Sequence, residues 1–271
     1  MHLGVAHHPN PPSTGPGTTK GMTMKIGIIG VGHIGKTLSQ RLAAAGHDVK
    51  VANSRGPETI GADALRTGAR AVPASEAVTD VDVLILSTPL GRIPDIAPIV
   101  AGAAPDTVVI DTSNYYPARD SEIQAIEDGQ VESHWVAEQL GRPVVKAWNA
   151  IGSGSFANKN TPPGTPGRIA IPVAADDATS RALGIALVEE TGFDGFDAGG
   201  LDQSWRQQPG TPVYCTDLTS DEMPAALATA DAARSPKRRD IGMAAVAERF
   251  GADGANPDED YGVRLNRVLN M

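Results

Sequence analysis

The chain has 271 residues with 41% hydrophobic content, enough for one large domain, or one domain with an appendage. Its net charge of −9 gives no bulk attraction to phosphate polymers, which argues against a nucleic-acid partner, and its apolar runs are far too short to span a bilayer. A single cysteine, Cys215, excludes an intrachain disulfide and a thiolate zinc cage, so the expectation is a soluble cytoplasmic protein without a metal centre or a membrane partner.

In chain order, residues 1–23 form a Pro-, Gly- and His-bearing segment without the apolar stretch of a secretion signal. It is predicted to be a disordered tail, because it cannot bury enough apolar surface to offset the entropy of ordering it. From Lys25 the pattern changes to a short apolar run at 25–30, closed by Gly30 and read as a buried strand. Ile34, Leu38, Leu42 and Ala45 recur at helical spacing over 33–45, and Gly46 stops that helix. Further strands are predicted at 48–52, 69–72, 81–86, 107–111, 144–147, 169–174 and 193–197. Helices are predicted at 58–65, 93–100, 121–126, 135–140 and 177–190. Such alternation over residues 24–200 predicts an α/β fold with a doubly wound, mostly parallel sheet. Beyond Gly200 a polar loop at 203–218 and two helices, at 220–233 and 241–250, suggest a C-terminal loop and helical appendage over 201–271. The basic run Lys237-Arg238-Arg239 is read as the separator between these helices.

The chemistry begins at Gly30-Val31-Gly32-His33-Ile34-Gly35, which follows a strand and opens a helix. In that context the spacing is the fingerprint of a Rossmann dinucleotide site. Gly30 makes the tight turn, Gly32 admits a pyrophosphate to the backbone, and Gly35 lets helix and strand pack closely, with the phosphates over the helix N-terminus. At the end of the second strand, an NAD enzyme would place a carboxylate for the ribose hydroxyl. This chain instead reads Asn53-Ser54-Arg55-Gly56-Pro57-Glu58, offering a hydroxyl and a guanidinium to a 2′-phosphate. The expected cofactor is therefore NADP(H).

The glycine fingerprint combined with Asn53-Ser54-Arg55-Gly56-Pro57-Glu58 resembles the coenzyme F420-dependent NADP oxidoreductases. So do Ser87-Thr88-Pro89, Asp111-Thr112-Ser113-Asn114, Val145-Lys146-Ala147-Trp148-Asn149-Ala150 and Phe196-Asp197-Ala198-Gly199. The resemblance covers about residues 24–200. It implies an NADP-binding Rossmann sheet and a deazaflavin or flavin-type second substrate stacked against the nicotinamide. The segments 156–167 and 201–215 depart from that family's pattern.

Loops at the carboxyl ends of strands line the ligand crevice of an open α/β sheet. Ser87, Thr88, Pro89, Ser113, Asn114, Asn149 and Ala150 are accordingly expected beside the ribose and nicotinamide. Lys146 is either a charged group at the site or a surface-reaching side chain, and Cys215 is read as a buried small residue. Trp205, Arg206 and Gln207 are candidate walls of an acceptor pocket, with an interdomain hinge or a dimer contact as the bland reading of the same loop. The reading that follows is hydride transfer between nicotinamide and a flavin-type or deazaflavin acceptor, in a protein expected to be a homodimer. Two alternatives stand beside it. One is an NADPH-dependent dehydrogenase or imine reductase, with Tyr214, Asp217 or Lys146 as general acid; the other is a non-catalytic NADP(H) sensor.

Overall fold

The computed structural model describes residues 23–251, 258 and 260–271. The expected tail therefore lies, up to residue 22, outside the described residues. Six strands form one parallel sheet: β1 (Lys25–Ile29), β2 (Asp48–Ala52), β3 (Arg70–Ala71), β4 (Val83–Leu86), β5 (Val108–Asp111) and β6 (Val145–Lys146). Their order across the sheet is β3-β2-β1-β4-β5-β6. The chain therefore leaves β1 in one direction and returns to its other side at β4, which opens a crevice at the carboxyl ends of these two central strands.

Pleat alternation assigns the two faces. Val83 and Ile85 of β4 join Ile26 and Ile28 of β1 in one core, under α1 (His33–Ala44), α2 (Ala62–Leu65), α8 (Ser153–Asn158) and α9 (Ala178–Glu190). Leu84 and Leu86 face the opposite core, under α4 (Ile93–Val100) and α7 (Glu132–Leu140). The central strands are thus covered on both faces, which is why they read as uninterrupted apolar runs.

Two predicted strands do not join this sheet. β7 (Ala170–Val173) and β8 (Asp194–Asp197) pair in parallel as a separate ribbon. An antiparallel bridge fastens the ribbon to the sheet: Lys146 N–H donates to the Ala174 carbonyl at 2.8 Å, and Ala174 N–H donates back at 3.0 Å.

Several helices differ from expectation for local reasons. The helix predicted at 58–65 is a 3₁₀ turn (Pro57–Thr59) followed by α2, because Ile60 is extended and the Thr59 hydroxyl is tied to Asn53 and the Gly56 carbonyl. The helix predicted at 121–126 splits into α5 (Pro117–Asp120) and α6 (Gln124–Glu127), since Ser121 takes φ +64° between them. α3 (Ala74–Ala77) and α8 interrupt stretches read as loop, and the loop predicted at 203–218 opens with a 3₁₀ helix (Leu201–Gln207). α10 is shorter than expected (Met223–Ala228). α11 (Ser235–Phe250) runs back through Lys237, Arg238 and Arg239, so the basic run lies on a helix rather than between two. A last helix, α12 (Tyr261–Asn270), closes the appendage. No helix among the described residues is long and apolar enough to cross a membrane.

Inside the sheet, Lys146 is cross-strand partner to Asp111, and both side chains are fully buried. The Lys146 ammonium donates to Asp111 Oδ2 at 2.7 Å and to the Ser113 carbonyl at 2.6 Å. It is therefore neither a surface-reaching lysine nor a free group at the site. Breaking a buried pair from one side leaves an uncompensated charge. Lys146→Met should therefore lower stability by about 3–5 kcal/mol, and Lys146→Met combined with Asp111→Leu should recover part of that loss, both read by urea unfolding.

Candidate active site

Two cavities meet at the carboxyl ends of β1 and β4. The larger, about 620 Å³, runs along Gly30, Val31 and Gly32 to Asn53, Ser54 and Arg55, with Ile96 and Ile99 of α4 as an apolar wall. The second, about 450 Å³, continues from Gly32, Ser87, Thr88 and Pro89 to Ser113, Asn114, Trp148 and Asn149. The four shared residues make them one continuous crevice.

The glycines set its floor. Gly30 adopts φ +103°, and a Cβ there would run into the Ser87 carbonyl, while one on Gly35 would run into the Gly30 carbonyl. Both glycines are required by the backbone packing itself. Gly32 differs, because a Cβ there would meet nothing within 4 Å. It sits at the N-cap of α1, where no side chain caps the helix and no acidic residue occupies the first turn. An open, uncapped N-terminus with a positive dipole end fits a pyrophosphate.

At the other end of the larger cavity, Asn53 shapes the loop. Its Oδ1 accepts from Arg55 N–H at 2.9 Å, and its Nδ2 donates to Thr59 Oγ1 at 2.9 Å. This leaves Ser54 and Arg55 exposed on the cavity rim, with no ion-pair partner for the Arg55 guanidinium among the described residues. Arg92, which sequence reading passed over, joins them on the lining, paired with Asp95 at 2.9 Å. Glu58 lies against Gly56, outside the lining.

The second cavity has side chains for walls. The hydroxyls of Thr88 and Ser113 are buried there without hydrogen-bond partners, as expected of groups placed for a ligand. Asn114 and Asn149 hold one another: Asn114 Nδ2 donates to the Asn149 carbonyl at 2.9 Å, and Asn149 Nδ2 donates to Asn114 Oδ1 at 3.1 Å. His33 and Ile34 also line this cavity. Ala150 does not; its carbonyl accepts from Cys215 N–H at 2.8 Å.

Tyr116, missed by sequence reading, and Tyr214, named there only as a candidate general acid, complete the wall. Tyr116 and Tyr214 bring their hydroxyls to 2.5 Å, with Arg119 stacked 5.1 Å from the Tyr116 ring. Burial pushes both phenol pKa values well above the usual range, so both hydroxyls stay protonated at neutral pH. Burial likewise pushes the Cys215 thiol up to about 12, which makes it no nucleophile. Behind this wall Glu132 is buried, and burial raises its carboxyl to about 7 despite the nearby Lys146. No pattern of spacing marks Tyr116 or Tyr214 in the sequence, because they come from loops about a hundred residues apart.

The expected Trp205 wall lies elsewhere. Trp205 and Arg206 line neither cavity; Trp205 borders a separate cleft with Gln130, Pro209 and Ala233. The Arg206 guanidinium stacks 4.4 Å from the Trp205 ring and donates to Gln203 and the Leu227 carbonyl, so its polar groups are used within the appendage. Gln207 stands behind the site: its Nε2 donates to Asn149 Oδ1 at 2.9 Å, and its carbonyl accepts from Asn149 Nδ2 at 2.8 Å. Of the candidate acids, Asp217 is bound to Ser155 and Lys159 away from the cavity, and Lys146 is spent on Asp111, so Tyr214 alone faces it.

A doubly wound sheet with this crevice at its switch point is the architecture of the dinucleotide-binding class. Residues 25–115 match the family described as NADP oxidoreductase, coenzyme F420-dependent. The chain is 34% identical over 109 residues to YjhV of Escherichia coli (strain K12), across 40% of this chain and 77% of that protein. Among solved structures it resembles the hypothetical protein SMa0349 of Sinorhizobium meliloti, at 30% identity and a TM-score of 0.63, covering 74% of this chain and 97% of that one. It also shares the fold of a protein from Arthrobacter sp. FB24 provisionally described as an F420-dependent NADP reductase, at 18% identity and a TM-score of 0.53, over 67% and 87% of the two chains. The chain belongs to the coenzyme F420-dependent NADP oxidoreductase family, and it is an NADP-dependent oxidoreductase.

The glycines separate binding from folding. Gly32→Val places a branched side chain in open space, so the unfolding midpoint should stay near wild type while NADPH binding disappears from a calorimetric titration. Gly35→Val, which collides with backbone, should lower the midpoint instead. Native NADPH affinity in Gly32→Val would place the dinucleotide elsewhere.

Proposed function

We propose that this protein transfers hydride between NADP(H) and a flat, flavin-type or deazaflavin acceptor held in the second cavity. The observation that carries the reading is the continuity of the two cavities along Gly32, Ser87, Thr88 and Pro89. A dinucleotide whose phosphates rest on α1 has its redox end at the mouth of a chamber large enough for a second ring. When bound, the nicotinamide supplies the hydride chemistry. The chain supplies the rest. Gly32 and the α1 N-terminus bind pyrophosphate, and Ser54 and Arg55 receive the 2′-phosphate. The unpartnered Thr88 and Ser113 hydroxyls orient the nicotinamide end, and the Asn114–Asn149 pair fixes the facing loops. Such a transfer depends on alignment and water exclusion, which the buried wall of Trp148, Asn149 and Tyr214 provides.

The tyrosine pair supports a second reading, reduction of a carbonyl or imine. Two phenol hydroxyls facing the cavity are hydrogen-bond and proton donors of the kind that reaction requires and a flavin does not. Following NADPH oxidation against FMN, a deazaflavin, and a panel of ketones and cyclic imines decides between them. Flavin-type turnover that survives Tyr214→Phe supports the first reading. Turnover confined to carbonyls or imines, and lowered about a hundredfold by Tyr214→Phe, supports the second.

Cofactor preference follows from the rim of the larger cavity. Arg55→Ala removes a charge-assisted contact worth about 1.5–3 kcal/mol, so the affinity for NADPH should fall roughly 10- to 100-fold. NADH affinity should hardly change, and equal binding of the two cofactors by the wild-type protein would refute the assignment.

A further inference from the structure

Behind the tyrosine pair lies a third chamber, about 230 Å³, roofed by the appendage. It opens onto the acceptor cavity through shared residues: Tyr116, Gly152, Ser153, Tyr214 and Cys215 line both. Its roof is one face of α11, where Arg238, Gly242, Met243, Val246 and Phe250 recur at three- to four-residue spacing, completed by Val263 and Leu265 of α12. The roof is thus largely apolar, the floor carries the hydroxyls of Ser153, Ser155 and the two tyrosines, and Arg238 and Arg239 stand on the wall.

The charge balance of this lining runs against that of the whole chain. The protein carries 32 acidic residues against 23 Lys and Arg. Yet among the described residues neither the acceptor cavity nor the chamber has an Asp or Glu in its lining, while Arg119, Arg238 and Arg239 all contribute. Arg119 is paired with Asp120 at 2.8 Å, and Arg239 with Asp240 at 2.8 Å, the latter also stacking 5.1 Å from the Tyr115 ring. Arg238 is half-buried and has no side-chain hydrogen bond or ion pair among the described residues. A guanidinium left unpaired in a carboxylate-free chamber is placed for an anion from outside the chain.

We propose that the chamber is the subsite for an anionic tail of the acceptor, and that Arg238 selects acceptors ending in a phosphate or carboxylate. The reducible ring would lie in the cavity beside the nicotinamide, its stem would pass Gly152 and Ser153 beneath α11, and its terminal anion would meet Arg238. This deepens the reading above, on which the ring's identity rests, by stating what the rest of the molecule must carry.

Two measurements on the full chain keep the subsite and the flavin reading apart. The first compares NADPH oxidation with FMN and with riboflavin, which differ by one phosphate. The subsite predicts a kcat/KM for FMN at least about tenfold above that for riboflavin, a ratio that collapses in Arg238→Ala and returns in part in Arg238→Lys. The second uses no hydride transfer: phenyl phosphate and benzyl alcohol are titrated calorimetrically into protein saturated with NADP⁺, so that the 2′-phosphate site is filled. Phenyl phosphate should bind the wild type and bind about tenfold more weakly to Arg238→Ala, with benzyl alcohol giving no such difference. Unchanged NADPH affinity in Arg238→Ala checks the fold. If phenyl phosphate binds through Arg238 and neither flavin is reduced, the subsite stands and the flavin reading falls. If both flavins turn over alike and phenyl phosphate is indifferent to Arg238, the subsite is overturned and the flavin reading stands.

Discussion

The buried contact between Lys146 and Asp111 organises three separate parts of this molecule. It joins β5 to β6 at their carboxyl ends, at one edge of the sheet, where two residue pairs hold the strands in register. The same ammonium binds the Ser113 carbonyl, and Asp111 Oδ1 accepts from Ser113 N–H at 3.0 Å, so the loop leaving β5 is fixed from within. The Lys146 backbone meanwhile carries the bridge to Ala174, which anchors the β7–β8 ribbon. A buried ion pair contributes little net stability against a hydrophobic replacement, because the attraction mostly offsets desolvation. What it contributes here is direction: each oxygen it satisfies belongs to a segment that must point at the crevice.

From that contact the arrangement propagates outward through amides. Asn149, three residues beyond Lys146, is gripped by Asn114 on one side and Gln207 on the other. Gln207 therefore brings the appendage into register with the sheet although it never reaches the cavity. Of the five non-glycine residues with positive φ among the described residues, two lie at the same place. Trp148 and Cys215 adopt φ +56° and +53°, a region costing non-glycine residues about 1–2 kcal/mol, and both line the acceptor cavity. Each is held by its surroundings, Trp148 through its indole N–H to Thr191 Oγ1 at 3.3 Å and Cys215 through its N–H to Ala150.

The cofactor half of the molecule was legible in the sequence because its determinants are local. Gly30, Gly32 and Gly35 lie within six residues, Asn53 to Arg55 within three, and the apolar runs of β1, β4 and β5 announce buried parallel strands. The acceptor half was legible only in part: Ser113, Asn114 and Asn149 were expected there and Tyr214 was weighed as a general acid, but the pairing of Tyr214 with Tyr116 was not foreseen. Tyr116 and Tyr214 acquire their meaning only at 2.5 Å from one another, and no spacing rule joins them. Trp205 and Arg206 drew attention for the opposite reason: an aromatic beside a guanidinium looks like a binding surface, and in the fold the two satisfy each other. Lys237, Arg238 and Arg239 read as a break between helices because three adjacent charges suggest solvent. On α11, consecutive residues point about 100° apart, so the run is split: Arg239 is buried against Tyr115, Arg238 faces the chamber, and Lys237 stays outside. Helix breaks at Ile60 and Ser121 were equally hidden, since neither residue type signals a break.

This division has a physical origin. A pyrophosphate is recognised by backbone N–H groups and by the absence of a Cβ, so its site is encoded wherever one turn has the right glycines. The second cavity, which the proposed reading gives to the acceptor, is instead built of side chains converging from the loop after β5, the loop after β6 and the appendage, held at their roots by Asp111–Lys146 and Gln207. Changing Tyr116 or Tyr214 alters the second cavity without touching the glycine turn at the start of α1. On the proposed reading the two halves of the crevice can therefore vary independently, and the choice of acceptor rests on the second half.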